Sequence, residues 1–184
     1  DTKSDKGNID IGCMSADFQI KILEDQIEDA LQKGATVLCG GEREHNSMVF
    51  YPTILVNVNK SMKVIKEETF GPIIPIMKFS TEEEVIEKVN SFEFGLSASV
   101  WSKDMDRADR VARKLEVGNV SINNVMLTEA NPALPFGGVK SSGFGRYKGA
   151  QGLYSFSNIK SIMVDTQSSK IEANWFPYTR TKYK

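Results

Sequence analysis

Cysteine and histidine are scarce, with two of the first and one of the second in 184 residues. Cys13 and Cys39 are too few for a disulfide framework, which points to a reducing compartment, taken here as the cytoplasm. Adding His45 does not make a zinc site, so no metal centre is expected. A Cys13–His45 pair is also a poor nucleophile and base, since the two stand far apart in the chain and a reactive thiol needs thiolate stabilisation. An excess of charge of either sign is missing as well. The 23 basic and 24 acidic residues leave a net charge of −1, which supplies neither the footprint of a nucleic-acid binder nor a polybasic membrane patch. No apolar run approaches membrane-spanning length. Repeats and low-complexity tracts are absent. The opening DTKSDKGNID reads as a polar loop without an initiating Met or a signal-peptide pattern, which raises the expectation that the natural start lies elsewhere.

What is present is ordinary globular composition, 40% hydrophobic and 26% charged, long enough for one solid domain. Phe18, Ile22, Leu23, Ile27, Ala30 and Leu31 recur at helical spacing and predict a helix over 15–33, with Ser15 as cap and Gly34 as left-handed exit. Residues 35–39 predict a strand with Cys39 in the core, and 50–58 another, with Pro52 at a sheet edge. A strand over 73–79 is followed by a capping box, Thr81-Glu82-Glu83-Glu84, opening a helix through Asn90 that buries Val85, Ile86 and Val89. A strand over 96–101 precedes a second helix, capped by Asp104, with the stripe Met105, Ala108, Val111, Ala112 and Leu115, and ended by Gly118. Residues 119–123 form the next strand. Strand, helix, strand, helix, strand at this spacing implies two crossover units and a parallel sheet with packed helices, an α/β fold. Regularity stops over 124–147, a long loop leaving a strand end where open α/β sheets place ligands. A short helix over 148–153 and a last strand over 155–165 follow.

Two segments carry possible chemistry. In Glu67-Glu68-Thr69-Phe70-Gly71-Pro72, a carboxylate can accept two hydrogen bonds from a ribose diol while a neighbouring ring packs on a flat heterocycle; the same residues also read as a charged helix end before a Gly-Pro turn. Pro135-Phe136-Gly137-Gly138 and Ser142-Gly143-Phe144-Gly145-Arg146 are glycine-dense, which permits close backbone approach, but the spacing is wrong for a dinucleotide fingerprint or a P-loop. A structural turn and a substrate loop both fit. Trp175, Phe176, Tyr178 and Tyr183 alternate with Arg180, Lys182 and Lys184, without the amphipathic helix pattern of a membrane-surface segment.

Taken in order, KEETFGPIIPIMKF, GLSASVWSKDMDRADRVARKLEVGNVSIN and LPFGGVKSSGFGRYKG closely resemble the aldehyde dehydrogenase superfamily, and NIDIG, VLCGGE and YPTIL occur upstream in the matching order. The resemblance covers residues 7–165. It implies that Glu68 binds the nicotinamide ribose hydroxyls of NAD or NADP, that Phe70 packs beside the nicotinamide, and that Lys21 stands near the cofactor ribose. It further implies that Phe136 lines a substrate tunnel, with Leu127 and the stretch 132–134, including Leu134, shaping a partly apolar wall. In that family a cysteine thiolate attacks the aldehyde, hydride passes to nicotinamide, and water activated by a glutamate hydrolyses the thioester. That cysteine, that glutamate and the Rossmann-type cofactor domain correspond to sequence N-terminal to Asp1, so no catalytic residue is assigned here. Cys13 stands where the family usually has proline, and is not a displaced nucleophile.

The resulting expectation is a soluble oxidoreductase portion: 1–141 from the catalytic domain, 142–156 connecting, 157–166 an oligomerisation strand and 167–184 a tail. The implied partners are an aldehyde, the N-terminal cofactor domain and further copies of the chain, with no nucleic acid or membrane. The chain alone is expected to be inactive, with weak or no nucleotide affinity. The alternatives are a stand-alone assembly protein of the same fold and an acyl-phosphate or CoA-acylating reductase.

Overall fold

The computed structural model describes residues 10–166 together with Phe176 and Arg180. Trp175, Tyr178 and Tyr183 of the tail, and most of the opening loop, lie outside the described residues.

The first half is built on helix α1, Asp17–Gln32, and three strands, β1 Thr36–Cys39, β2 Thr53–Val56 and β3 Ile73–Pro75. Helix α1 starts one residue later than the sequence suggested. Ala16 takes the cap position and no side chain caps it, so Ser15 lies outside the helix. Gly34 does supply the exit, at φ +94°. The buried face of α1 is Ile20, Leu23, Gln26, Ile27 and Ala30. Phe18, Ile22 and Leu31 instead face solvent, so the predicted stripe mixed two faces of a helix that is apolar on more than one side. Under the buried face lie Ala35, Phe50, Leu55, Val58, Met62 and Val64, one continuous core.

Strand β1 pairs antiparallel with β2, and β2 pairs parallel with β3. The register slips between Val37 and Cys39. Cys39 is exposed, correcting its expected place in the core, because β1 is an edge strand whose outer positions nothing covers. Between β2 and β3 lies the single turn of helix α2, Lys63–Lys66.

The second half contains α3 Glu82–Asn90, β4 Phe94–Gly95, β5 Ser97–Val100, α4 Met105–Lys114, β6 Asn119–Ile122, α5 Leu127–Ala130, β7 Val139–Lys140 and α6 Gly149–Ser155. The unit β5–α4–β6 is a parallel crossover, with Ser97 opposite Asn119 and Val100 opposite Ile122. The caps form where expected: Thr81 Oγ1 accepts from the Glu84 amide at 3.1 Å and Asp104 Oδ1 from the Arg107 amide at 3.0 Å. The reciprocal bond of the capping box reaches one residue further back, Glu84 Oε2 accepting from the Ser80 amide at 2.7 Å.

One parallel sheet through β3, β5 and β6 was expected, but the described strands form separate sheets, with β3 on β2 and β5 on β6. The Ile76 amide donates to Leu55 O at 2.8 Å. Alternate amides of a strand face opposite edges, so position 75 faces away from β2, and there Pro75 has no N–H to offer a further strand. Val85, Ile86 and Val89 are correspondingly half-buried rather than buried. With Val100, Trp101 and Val111 around them, Val85 and Val89 line an apolar cleft of about 490 Å³.

The long loop is more ordered than its sequence suggested, since it contains α5 and β7, the latter pairing with β4. The strand expected over 155–165 is not formed within the chain. Ser155 ends α6, and 158–166 carry no regular structure while Ile159, Ile162, Met163 and Val164 are 75–89% exposed. A strand needs a ladder partner, and none lies among the described residues.

Candidate functional site

The segment 67–72 hangs between α2 and β3. Its start is fixed where the Glu67 amide closes α2 by donating to Lys63 O at 2.8 Å, and its end where the Thr53 amide donates to Pro72 O at 2.8 Å. In between, exposure alternates. Glu68 is exposed, Thr69 half-buried, and Phe70 67% exposed. Thr69 Oγ1 donates to Gln26 Oε1 on α1 at 2.6 Å. A Cβ at Gly71 would stand 2.6 Å from Leu23 Cδ1, so any larger residue would force Leu23 or the segment to shift. The contacts at 69 and 71 leave Glu68 and Phe70 both exposed to solvent. Glu68 makes no ion pair among the described residues, so its carboxylate is free to accept two hydroxyls, and Phe70 offers an uncovered ring.

Lys21 is not drawn to that pair. It lies on an exposed stretch of α1 and pairs with Asp17 at 3.4 Å. Arg43 also reaches Asp17, at 3.0 Å, and Arg43 first, then Lys21, hold that carboxyl below its usual range.

The second candidate region is the loop after β6. Asn124 Oδ1 accepts from the amides of Met126 and Leu127, both at 3.0 Å, which starts α5. Leu127 is 59% exposed and Leu134 43%, so both present apolar surface. Lys148 reaches back across the loop to the Glu129 carboxylate at 2.6 Å and also donates to the Glu129 carbonyl. Its neighbour Gly149 donates to Pro132 O at 2.9 Å. Loop residues 129–132 are thereby tied to the segment that follows the glycine-rich turn.

Phe136 is only 9% exposed and packs edge-to-face on Tyr147, ring centroids 5.5 Å apart. Their backbones exchange two hydrogen bonds, at 2.8 and 2.9 Å. Asn119 Nδ2 donates to Gly137 O at 2.8 Å and to Leu96 O at 2.9 Å, pinning the turn to β5 and β6. Arg146 Nη1 closes the far side by donating to Gly138 O at 2.8 Å. A Cβ on Gly118 would fall 1.8 Å from Gly137 O, so glycine at 118 is a steric requirement of this turn. An open cavity of about 420 Å³ lies along Phe136, Leu96, Phe144 and Tyr147.

Leu127, Leu134 and Phe136 thus share one loop system, and Glu68 and Phe70 another. Sequence reasoning had no place for Gln26, Asn119, Arg146, Tyr147 or Lys148. Gln26 carried a signal that could have been read: it is a polar residue on the apolar face of α1, between Leu23 and Ala30. The others are legible only as contacts, because their roles depend on which carbonyl, carboxylate or ring the fold brings to them.

A partial α/β domain with a presented carboxylate and ring on one loop, and an apolar loop system on another, has the makings of one wall of an enzyme cleft. The aldehyde dehydrogenase family model matches residues 2–162, and the chain belongs to that family. It is 44% identical over 175 residues to 4,4'-diapolycopene aldehyde oxidase of Methylomonas, covering 95% of this chain and 33% of that protein. With an NADP(+) succinate-semialdehyde dehydrogenase of Escherichia coli the identity is 41% over 157 residues, covering 85% and 32%. Among solved structures, betaine aldehyde dehydrogenase of Staphylococcus aureus in complex with NAD+ superimposes with a TM-score of 0.77 at 34% identity, over 82% of this chain and 30% of that one. The chain spans about a third of the length of the curated relatives it matches.

Proposed function

We propose that these residues supply the C-terminal part of the catalytic domain of an NAD(P)-dependent aldehyde dehydrogenase that oxidises a partly apolar aldehyde to its carboxylic acid. The observation that carries this reading is the exposure of both Glu68 and Phe70 on a segment held to α1 through Thr69 and Gly71. Glu68 would accept the two hydroxyls of the nicotinamide ribose, and Phe70 would pack beside the ring. The bound nicotinamide would take the hydride from the aldehyde carbon. Phe136, Leu127 and Leu134 would form part of the aldehyde wall, with Lys148 and Asn119 holding their loops in place.

The 184 residues taken alone would not turn over. Both thiols are free and exposed, and His45 has its hydrogen bond with Asn46, at 3.1 Å. The nucleophile and its base would come from a preceding part of the same enzyme. The exposed apolar side chains of 159–164 fit a strand completed by another copy of the chain, and free thiols suit a reducing compartment. No helix among the described residues is long and apolar enough to cross a membrane.

The test is Glu68→Gln in the full protein carrying these residues. A neutral amide keeps the shape and loses charge-assisted acceptance, so affinity for NAD+ or NADP+, measured by calorimetry, is expected to fall about tenfold. The reading fails if affinity for both nucleotides is unchanged.

A further inference from the structure

Gln26 is fully shut off from solvent, at 0% exposure, yet it stands among Leu23, Ile27 and Ala30 on the face of α1 that otherwise makes the core. Its Nε2 has no hydrogen-bond partner among the described residues. An unmet buried donor is unfavourable, and an apolar side chain of the same length would fill the space without it. The one thing the amide contributes that a methionine could not is the 2.6 Å hydrogen bond with Thr69. That contact survives either orientation of the amide, because a hydroxyl can donate to the oxygen or accept from the nitrogen. Thr69 stands between Glu68 and Phe70, and two residues on from it Gly71 is seated against Leu23.

We propose that Gln26 is a positioning residue for nucleotide binding, acting through Thr69 to set the direction in which Glu68 and Phe70 leave the chain. The Leu23–Gly71 contact fixes how near the segment lies to α1. It is apolar and leaves rotation of the segment about its own axis free. The directional bond from Thr69 to Gln26 removes that freedom, which a well-placed carboxylate cannot tolerate: a rotation that swung Thr69 off the helix would carry Glu68 and Phe70 with it. The unmet Nε2 is then a stability cost borne for orientation, in line with strain being kept where a site needs pre-organisation. The proposal rests on reading Glu68 as the ribose ligand.

The test uses the full protein carrying these residues, with Thr69→Val, Thr69→Ser and Gln26→Met. Thr69→Val keeps the shape and loses the hydroxyl, while Thr69→Ser keeps the hydroxyl. Thr69→Val and Gln26→Met are each expected to speed amide hydrogen exchange at 68–70 about tenfold, the equivalent of one net hydrogen bond. They should also weaken NAD+ or NADP+ binding about five- to tenfold, raising KM for nucleotide and leaving KM for aldehyde unchanged. Thr69→Ser should restore both. Gln26→Met should hold or raise the melting temperature while weakening nucleotide binding, a split that a merely structural glutamine would not give. Wild-type exchange and wild-type nucleotide affinity in Thr69→Val and Gln26→Met would overturn the proposal. If Glu68→Gln leaves nucleotide affinity unchanged, the ribose reading falls, while the exchange rates at 68–70 still report whether Gln26 orients the segment.

Discussion

The two halves of this chain are held together by different physics. In the first, α1 covers β1, β2 and β3, and ten apolar side chains from Ile20 to Val64 form one buried cluster. In the second, the buried apolar residues among those described are Ala108 and Phe136. What holds that half is polar: Asn119 on two carbonyls, Arg146 on Gly138 O, Lys148 on Glu129, and Glu82 with both Arg107 and Arg110 at 2.6 and 2.9 Å. The half with a core presents Glu68 and Phe70 on a segment tied down at Thr69 and Pro72. The half without one leaves Trp101 65%, Met105 56% and Val125 61% exposed, and has an open apolar cleft. The first half also leaves Phe18, Leu38 and Ile74 more than 60% exposed, so the halves differ in what is buried and not in how much apolar surface is open.

The largest expected effect is on the half with the buried cluster. Leu55, with no solvent exposure, sits on the central strand β2, and Leu55→Ala should cost about 3 kcal/mol in urea unfolding. The comparison can be broken in the same experiment. Trp101 lies in the second half, so with Trp175→Phe its fluorescence follows that half alone. If Leu55→Ala moves the Trp101 transition as far as the circular-dichroism transition, the halves unfold as one unit and the contrast drawn above is wrong. Next comes Asn119→Ala, which leaves the carbonyls of Leu96 and Gly137 without their donor and should cost about 1–3 kcal/mol. Limited proteolysis should then cut within 124–147 faster than in wild type, and an unchanged cutting rate would mean that Asn119 does not pin the turn.

Acid should act on both halves through paired carboxylates. Arg110, then Arg107, depress the Glu82 carboxyl, and Lys33 with the Lys63 amide depress that of Asp29. Folded-state values below the unfolded ones mean that this stabilisation is complete above the usual carboxylate range and is lost as pH falls through it toward the depressed values. The Trp101 transition should fall more steeply on acidification in wild type than in Glu82→Gln, whose second half is weaker at neutral pH but less pH-sensitive; equal slopes would remove Glu82 from the account. The smallest stability effect is at Leu127. At 59% exposure, Leu127→Ala should change unfolding by less than about 0.5 kcal/mol. If Leu127 forms aldehyde wall, the same substitution should raise KM for apolar aldehydes in the full protein and leave nucleotide affinity alone.

Much of the local structure was legible in the residues. The caps at Thr81 and Asp104 and the exit at Gly34 follow from side-chain and backbone chemistry within four residues, and they form where the sequence says. The parallel crossover β5–α4–β6 was legible from periodicity. The order of the E-E-T-F-G-P and P-F-G-G motifs pointed to the family. The facing of α1 was not legible, because a helix apolar on two sides does not say which side its own chain will cover. Nor was the exposure of Cys39, since a short apolar strand reads alike at an edge and in a core.

What the sequence by itself determined, then, is the capped helices α3 and α4, the Gly34 exit of α1, the crossover β5–α4–β6 and the family, all set by interactions between near neighbours or by motif order. Only the tertiary structure decided which strand pairs with which, because pairing depends on which amides are free, and Pro75 withholds one. It also decided that Gln26 meets Thr69 across 43 residues, that Phe136 packs against Tyr147, and that 158–166 take no regular structure. The physical reason is the same in each case. A hydrogen bond or a buried face is a relation between two surfaces, and a sequence specifies each surface without saying which others it will meet.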